Sequence, residues 1–184
     1  IENNQAKIWA LRTLLSTPAR IEFLKDNTYS KNDVLSGLGF ETLPDDLPDG
    51  KVNTKKLIEQ FRSEISRMEV LEDKQPSFVD QNVTWLGDLL ELENMERDIL
   101  KLIVFCKTDH KFAEVVNLIG SELNNRDLRF WVAAILNCTP EEIRPNLSAT
   151  STLVNSGLLK IETMRTYFEH KFEIHSEIEE ALSS

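Results

Sequence analysis

The chain has 184 residues, 41% of them hydrophobic, which is enough to bury a core in one domain or in two small ones. Its formal net charge is −10, and each half has −5, because 1–92 carries 11 basic and 16 acidic residues and 93–184 carries 10 and 15. This even acidity argues against nucleic acid and anionic lipid as partners. No apolar run approaches the ~20 residues that span a bilayer, so we expect no membrane association.

The cysteines and histidines form neither a metal-binding nor a disulfide pattern. Cys106 and Cys138 both lie in apolar helical runs, which predicts two buried, reduced thiols in a cytoplasmic protein. His110, His170 and His175 lack the close spacing of a metal motif, and packing or hydrogen bonding is the expected role of each. We therefore predict no metal site, no cofactor site and no catalytic residue in this chain.

Residues 1–75 are predicted to form a helical subdomain. Helix starts are indicated by Thr17, by Ser30 with Asp33, and by Asn53, because such side chains can cap a helix N-terminus. Apolar residues recur at helical spacing. They indicate four helices, carrying Ile8, Leu11, Leu14 and Leu15; Ile21 and Leu24; Val34, Leu35 and Leu38; and Leu57, Ile58, Phe61, Ile65, Met68 and Leu71.

Two polar stretches interrupt the helical spacing of apolar residues. The stretch 41–53 is rich in proline and acidic residues, which predicts a surface loop. The stretch 72–82 is the predicted boundary between the helical subdomain and a second domain, 83–184. A single continuous domain is the alternative, since both stretches have an ordinary loop length.

The second domain begins with helices that become increasingly apolar. The run from Met95 to Cys106 is apolar almost all round, which is typical of a central helix covered on several sides. Core packing is the expected role of the tryptophans, although an exposed Trp9 could mark a contact surface. The helices on either side of the central one carry Trp85, Leu86, Leu89, Leu90 and Leu92; Phe112, Val115, Val116, Leu118 and Ile119; and Leu128 to Leu136, with Trp131.

The stretch from Thr139 to Glu162 organises this domain. Thr139 and Glu142 match a capping box around Pro140, so a short helix should start directly after the preceding one and form a helix-turn-helix. Gly157 is placed to stop the next short helix in a left-handed conformation.

A β-hairpin is predicted after Gly157. Residues 158–162 should form the first strand, in which only one of Leu158 and Leu159 points into the core. The segment 167–174 alternates apolar and polar residues, which predicts a second strand with Lys171 outward. The turn between the strands falls at 163–166. Helix, turn, helix and hairpin are together typical of a winged helix.

Four runs of this domain carry a family pattern: LGDLLELENMERDILKLIVFC, FAEVVNLIG, VAAILNCTPEEIRPNL and STLVNSGLLKIE. They resemble the N-terminal winged-helix region that precedes the ATPase module in some bacterial AAA-family ATPases. Pro145 departs from the pattern, because a proline should shorten or kink the second helix of the helix-turn-helix. The matching positions are Leu86, Leu89, Leu90, Leu92, Glu96, Ile99 and Leu100; Ala134, Leu136 and Glu142; and Leu153, Val154, Ser156, Gly157, Leu158 and Leu159.

The resemblance covers about the second half of the chain, and its positions specify a fold more than an activity. It implies a mainly α protein: an N-terminal helical subdomain and a winged helix-turn-helix domain with a small antiparallel β-hairpin. It further implies a non-catalytic region that recruits a protein partner or client, or serves assembly. The ATPase module, with its ATP, magnesium and oligomer contacts, would lie outside this chain. A start at Ile1 and an end inside a helix lead us to expect a fragment.

No phosphate-binding loop is present in the sequence. The nearest approach to G-x-x-x-x-G-K-[ST] is Gly50-Lys51, but Val52 follows where serine or threonine is needed. No G-x-S-x-G elbow of a serine hydrolase occurs either. We therefore expect this chain not to be an enzyme by itself.

A DNA-binding winged-helix regulator is the main alternative, and an enzyme with a site of scattered residues is a third. The second helix of the helix-turn-helix would present Glu141 and Glu142 against a single Arg144. DNA-binding winged helices concentrate positive charge on this helix and on the wing. The predicted hairpin, which would be the wing, carries charges of both signs. Its basic residues are Lys160, Arg165 and Lys171, and its acidic residues are Glu162, Glu169 and Glu173. Protein contact is therefore the favoured function.

Overall fold

The computed structural model describes residues 1, 3–25, 34–40, 53–71, 76–120 and 122–183. In these ranges the chain is mainly helical and contains a small two-stranded antiparallel sheet, which confirms the predicted class at that level. The predicted cap at Ser30 and the loop segment 41–52 lie outside the described residues. Within the described part, no helix combines the length and apolarity needed to cross a membrane.

The described N-terminal residues form three helices and a short helical segment. Asn3 and Asn53 each accept a hydrogen bond from a backbone N–H of the first turn that follows, at 3.1 and 3.2 Å. These bonds satisfy donors that a helix start leaves open, and they confirm Asn53 as a cap. The bounds are Asn4–Leu15 for α1, Thr17–Lys25 for α2, 34–37 for the short segment and Thr54–Val70 for α3.

The predicted central helix is α5, Asn94–Thr108, which lies in the chain between α4, Phe78–Leu89, and α6, His110–Asn117. It contacts both of them and also packs on helices from the C-terminal part. This confirms the prediction from its all-round apolarity. The buried residues of α5 are Glu96, Ile99, Leu100, Leu102, Ile103, Val104, Phe105 and Cys106.

The position of α4 differs from the prediction. The helix begins at Phe78, inside the predicted boundary stretch, because Ser77 and Asp80 form a reciprocal capping box. Its buried face carries Val79 and Val83, whereas the side chain of Trp85 is 67% exposed. Core packing was therefore the wrong expectation for Trp85.

Three further helices complete the predicted helix-turn-helix region. Their bounds are Asn125–Leu136 for α7, Pro140–Asn146 for α8 and Thr152–Asn155 for α9. The N–H of Thr139 donates to the Glu142 carboxylate at 2.7 Å, and the N–H of Glu142 donates to the Thr139 hydroxyl at 3.3 Å. This confirms the capping box, and α8 packs against α7 as expected for a tight connection. Cys138, in that connection, is half-buried rather than buried.

The sheet is shorter than predicted. Its strands β1, Leu159–Ile161, and β2, Phe172–Ile174, pair antiparallel with Leu159 opposite Ile174. Leu158 lies before β1, and both Leu158 and Leu159 are buried, so the expectation that only one of them points into the core is wrong. After β2, α10 spans Ser176–Ser183 and packs on α4 and α5.

The segment before β2 is a 3₁₀ helix, Phe168–Lys171, where an alternating strand was predicted. As a result Lys171 points inward rather than outward and is fully buried. Its Nζ donates to the carbonyl oxygen of Glu162 and, at 2.9 Å, to that of Met164. Burial lowers the pKa of Lys171, and the nearby Glu162 charge opposes that shift only in part.

The N-terminal helices share a core with the rest of the described chain. Trp9, 2% exposed, stacks edge-to-face on Phe105 of α5 with ring centroids 5.9 Å apart. Arg12 donates to the carbonyl of Ile135 at the end of α7 at 3.0 Å and pairs with Glu69 of α3 at 2.9 Å. One hydrophobic cluster contains buried apolar residues from the described parts of both 1–75 and 83–184. The division at 72–82 stays a prediction.

Gly157 provides a direct test of the predicted helix stop. Its φ of +77° lies in the left-handed region, and an added Cβ would meet no atom within 4 Å. Gly157→Ala should therefore lower the free energy of unfolding by ~1 kcal/mol through backbone strain alone. Gly157→Asn should cost less, because asparagine tolerates this conformation. Urea melts would measure both, and equal losses would contradict the assignment to strain.

Candidate functional site

The histidines weighed as metal ligands in the sequence analysis do not come together as a metal centre in the described structure. His110 lies 3.3 Å from Glu114 and His170 lies 3.3 Å from its neighbour Glu169, each as a separate surface pair. Among the described residues, no three His, Cys, Asp or Glu side chains form a group that could hold a metal ion. Glu142 is part of a helix cap, whose Thr139 N–H lowers the pKa of that carboxyl.

A groove on the C-terminal half has the composition of a binding site. It has a volume of about 650 Å³ and lies between the start of α7, the end of α8, α9 and β1. We call it the arginine groove. Its polar and basic lining residues are Asn125, Arg129, Arg144, Ser148 and Lys160, and its small and apolar lining residues are Leu128, Leu147, Ala149, Val154, Gly157, Leu159 and Ile161.

A second concavity of about 430 Å³ extends the arginine groove along α7 and α8, sharing Arg129 and Arg144 with it. Arg126 lines this second concavity but not the first. Its guanidinium lies 5.9 Å from the ring centroid of Phe130, whose side chain is 51% exposed. Together they form a cation–π pair at the surface. Glu141 is the carboxylate in this second lining.

The charges of these arginines are not neutralised within the described chain. Every ion pair there involves other residues, so Arg126, Arg129 and Arg144 are without a carboxylate partner. Lys160 differs, because its Nζ lies 2.7 Å from Glu173, and the hydrogen bond with that carboxylate raises the pKa of Lys160. The arginine groove thus offers two guanidinium groups without an ion pair in the described chain, and the second concavity adds a third, that of Arg126, in a protein of net charge −10.

Two buried charged residues hold the walls of the groove in place. Glu96, 3% exposed, accepts the N–H of Leu153 at 3.2 Å and that of Glu93 at 3.1 Å, which ties α9 to the start of α5. Lys171 secures the segment that follows β1 through its bonds to the carbonyls of Glu162 and Met164. Because buried polar groups need such partners, both contacts favour a single arrangement.

Sequence reasoning missed most of this site. It weighed Arg144 against Glu141 and Glu142 on one helix, and it did not consider Arg126 and Arg129 on the preceding helix. The available signal was the spacing of Arg126 and Arg129, which places them on one side of the first two turns of α7. Comparison of the chain with protein-family models, with curated proteins and with solved structures gives no match.

Proposed function

We propose that this chain is the non-catalytic, partner-recruiting region of an AAA-family ATPase and that it binds a protein partner in the arginine groove. The observation that carries the proposal is the groove itself, in which Arg129 and Arg144 lie beside apolar lining residues and, in the described part of the chain, have no carboxylate partner. Basic groups above an apolar floor suit a partner that presents both acidic and apolar side chains. ATP hydrolysis belongs, in this proposal, to a module outside the chain.

The assignment to a winged helix rests on the order of elements. Helices α7 and α8 are joined by a three-residue connection, and α9 leads through Gly157 into β1 and β2. Leu123, just before α7, forms an isolated antiparallel bridge with Thr166 in the hairpin connection, its N–H donating to Thr166 at 3.2 Å. A strand-like contact at this position supports a sheet that reaches beyond the hairpin, as in winged-helix domains.

DNA binding is the second candidate, and the same three arginines favour it. Two observations favour protein instead. Two of the three basic residues of the hairpin are engaged elsewhere, because Lys171 is buried and Lys160 is paired with Glu173, which leaves Arg165 exposed. The exposed first turn of α8 carries Glu141 and Glu142, which would face a phosphate backbone with like charge.

Site-specific photo-crosslinking tests the proposal in cells that make the full-length protein. A photoreactive side chain replaces Ala149, an exposed residue that lines the groove, or Ser63, an exposed residue on α3 that does not. We expect a discrete protein adduct from the Ala149 position and none of that size from Ser63. Arg129→Glu should abolish the adduct, because it reverses one of the groove charges.

Arg62→Glu is the matched control for the charge change, since Arg62 is exposed on α3 outside the groove. It should leave the adduct intact. Adducts consisting of nucleic acid would promote the DNA-binding candidate. A protein adduct that persists in Arg129→Glu would mean that the groove charges do not recruit the partner.

A further inference from the structure

Helix α4 presents an apolar stripe to the solvent. Its residues Phe78, Trp85 and Leu89 are 70%, 67% and 64% exposed. Together with Asn82 they recur at intervals of four, three and four residues, which places them on one face of the helix. In the described part of the chain, no other helix exposes more than one large apolar side chain. Because contiguous exposed apolar residues mark contact surfaces, we treat this face, the α4 stripe, as an interface.

The other sides of α4 are already packed. Val79 and Val83 are buried, and the helix contacts α5 and α10. The side-chain amide of Asn82 donates to the carbonyl of Ala181, in the last turn of α10, at 3.1 Å. The α4 stripe therefore lies beside the end of α10, on the side of α4 that no described element covers.

Helix α4 carries no uncompensated charge, although the protein has a net charge of −10. Its two acidic residues are both paired, Asp80 with Lys101 at 2.8 Å and Asp88 with Arg97 at 2.7 Å. Gln81, exposed next to the stripe, is uncharged. Two acidic chains repel each other over most surfaces. They can approach through this helix without placing unpaired charges of like sign against each other.

We infer that the α4 stripe is the interface of a homodimer, in which α4 of one copy packs against α4 of a second copy. A two-fold interface uses the same surface of both chains, so one apolar stripe is sufficient. The intervals of four and three residues suit helix-on-helix packing, and aromatic residues such as Trp85 are typical anchors of interfaces. The inference goes beyond the proposed function, because α4 contributes no residue to the arginine groove.

The exposed area of the α4 stripe fits a weak dimer. A buried aromatic side chain covers about 150–250 Å², so the exposed parts of Phe78, Trp85 and Leu89 amount to roughly 400 Å² per copy. A standard interface buries about 800 Å² per partner, and polar residues at the rim, such as Gln81 and Thr84, would supply much of the rest. We therefore expect a dissociation constant of about 10–100 µM. At the few-micromolar concentration of a urea melt, the chain is then a monomer.

Sedimentation equilibrium of the 184-residue chain tests the inference. Between about 5 µM and 1 mM we expect the mean mass to rise from that of a monomer toward that of a dimer. Trp85→Asp and Leu89→Asp should each raise the dissociation constant at least about tenfold, because each places a charge in the apolar contact. Phe130→Asp is the matched control. It removes another exposed aromatic residue, on α7, and should leave the dimer intact.

Tryptophan fluorescence shows whether the dimer uses this surface. Trp9 is buried and Trp131 half-buried, so acrylamide acts mainly on Trp85 in the monomer. Quenching should therefore fall as the concentration rises through the dissociation constant. Trp85→Phe keeps an aromatic anchor, so it should still dimerise but lose this fall in quenching.

Salt separates the α4 stripe from self-association through the arginine groove. High salt should leave the dimer intact or strengthen it, because screening weakens repulsion between the acidic residues of the two α10 helices, Glu177, Glu179 and Glu180. Contacts made by the groove arginines would weaken instead. A monomer at every concentration would overturn the inference and leave the stripe to a different protein. A dimer that persists in both Asp variants, or that forms with no change in Trp85 quenching, would overturn it as well.

Discussion

Trp9→Ala should lower the free energy of unfolding by roughly 3–5 kcal/mol, the usual cost of deleting a buried aromatic side chain. Trp9 is 2% exposed, and its ring packs on Phe105 of the central helix α5. The substitution therefore opens a cavity where α1 packs on α5. Urea denaturation followed by circular dichroism measures the loss.

Trp85→Ala is the matched control. Its side chain is 67% exposed on α4, so the same substitution should change the free energy of unfolding by less than ~0.5 kcal/mol. Comparable losses at the two positions would contradict the packing described for Trp9. The transition of Trp9→Ala should also remain a single one, because its surroundings span both predicted domains. A first transition confined to the N-terminal helices would instead support the division at 72–82.

Glu96→Ala should cost ~2–4 kcal/mol, the second-largest effect that we predict. The substitution leaves the buried N–H of Leu153 without an acceptor, and it removes the acceptor for Glu93. Since Leu153 lies in α9, we expect the groove wall to loosen as well. Hydrogen exchange at the Leu153 amide should accelerate more than expected from the global loss of stability.

Glu142→Ala is the control for Glu96→Ala, because Glu142 also accepts the N–H of a capping residue but lies at the surface. Its effect should be smaller and confined to α8. Glu96→Gln should fall between wild type and Glu96→Ala, because one of its two acceptors becomes a donor. If Glu96→Ala destabilises no more than Glu142→Ala, the contact with Leu153 contributes nothing measurable.

Local signals explain what could be predicted from the sequence. The caps at Asn53 and Thr139 and the stop at Gly157 each involve residues within about one turn of each other, and all three are present in the structure. Their chemistry is decided by side-chain oxygens and backbone conformation, which do not depend on distant packing. The central burial of α5 followed in the same way from its unbroken apolar surface.

Prediction failed where several local patterns compete. Ser77 and Asp80 form a capping box, but the surrounding polar residues suggested a loop, and α4 was therefore placed too late. Alternation around Phe168 suggested a strand, although a 3₁₀ helix buries both Phe168 and Lys171 against the core. Lys171 is retained there by carbonyl acceptors in the hairpin connection, a tertiary contact that periodicity cannot reveal.

The candidate site depends on residues that lie still farther apart in the sequence. The groove brings Arg129 and Arg144 from two helices opposite β1, and its floor includes Leu147 and Val154. No single segment contains enough of these residues to indicate a site. The net charge of the chain gave no indication of the groove either, because a net charge does not show where basic groups are clustered on the surface.

Arg12 has a mechanical consequence for the groove. One guanidinium nitrogen holds the last turn of α7 through Ile135, and another holds α3 through Glu69. Because α7 also carries Arg129, one wall of the groove is tied through this helix and Arg12 to α1 and α3. The N-terminal helices thus restrain α7 at the end opposite to the groove.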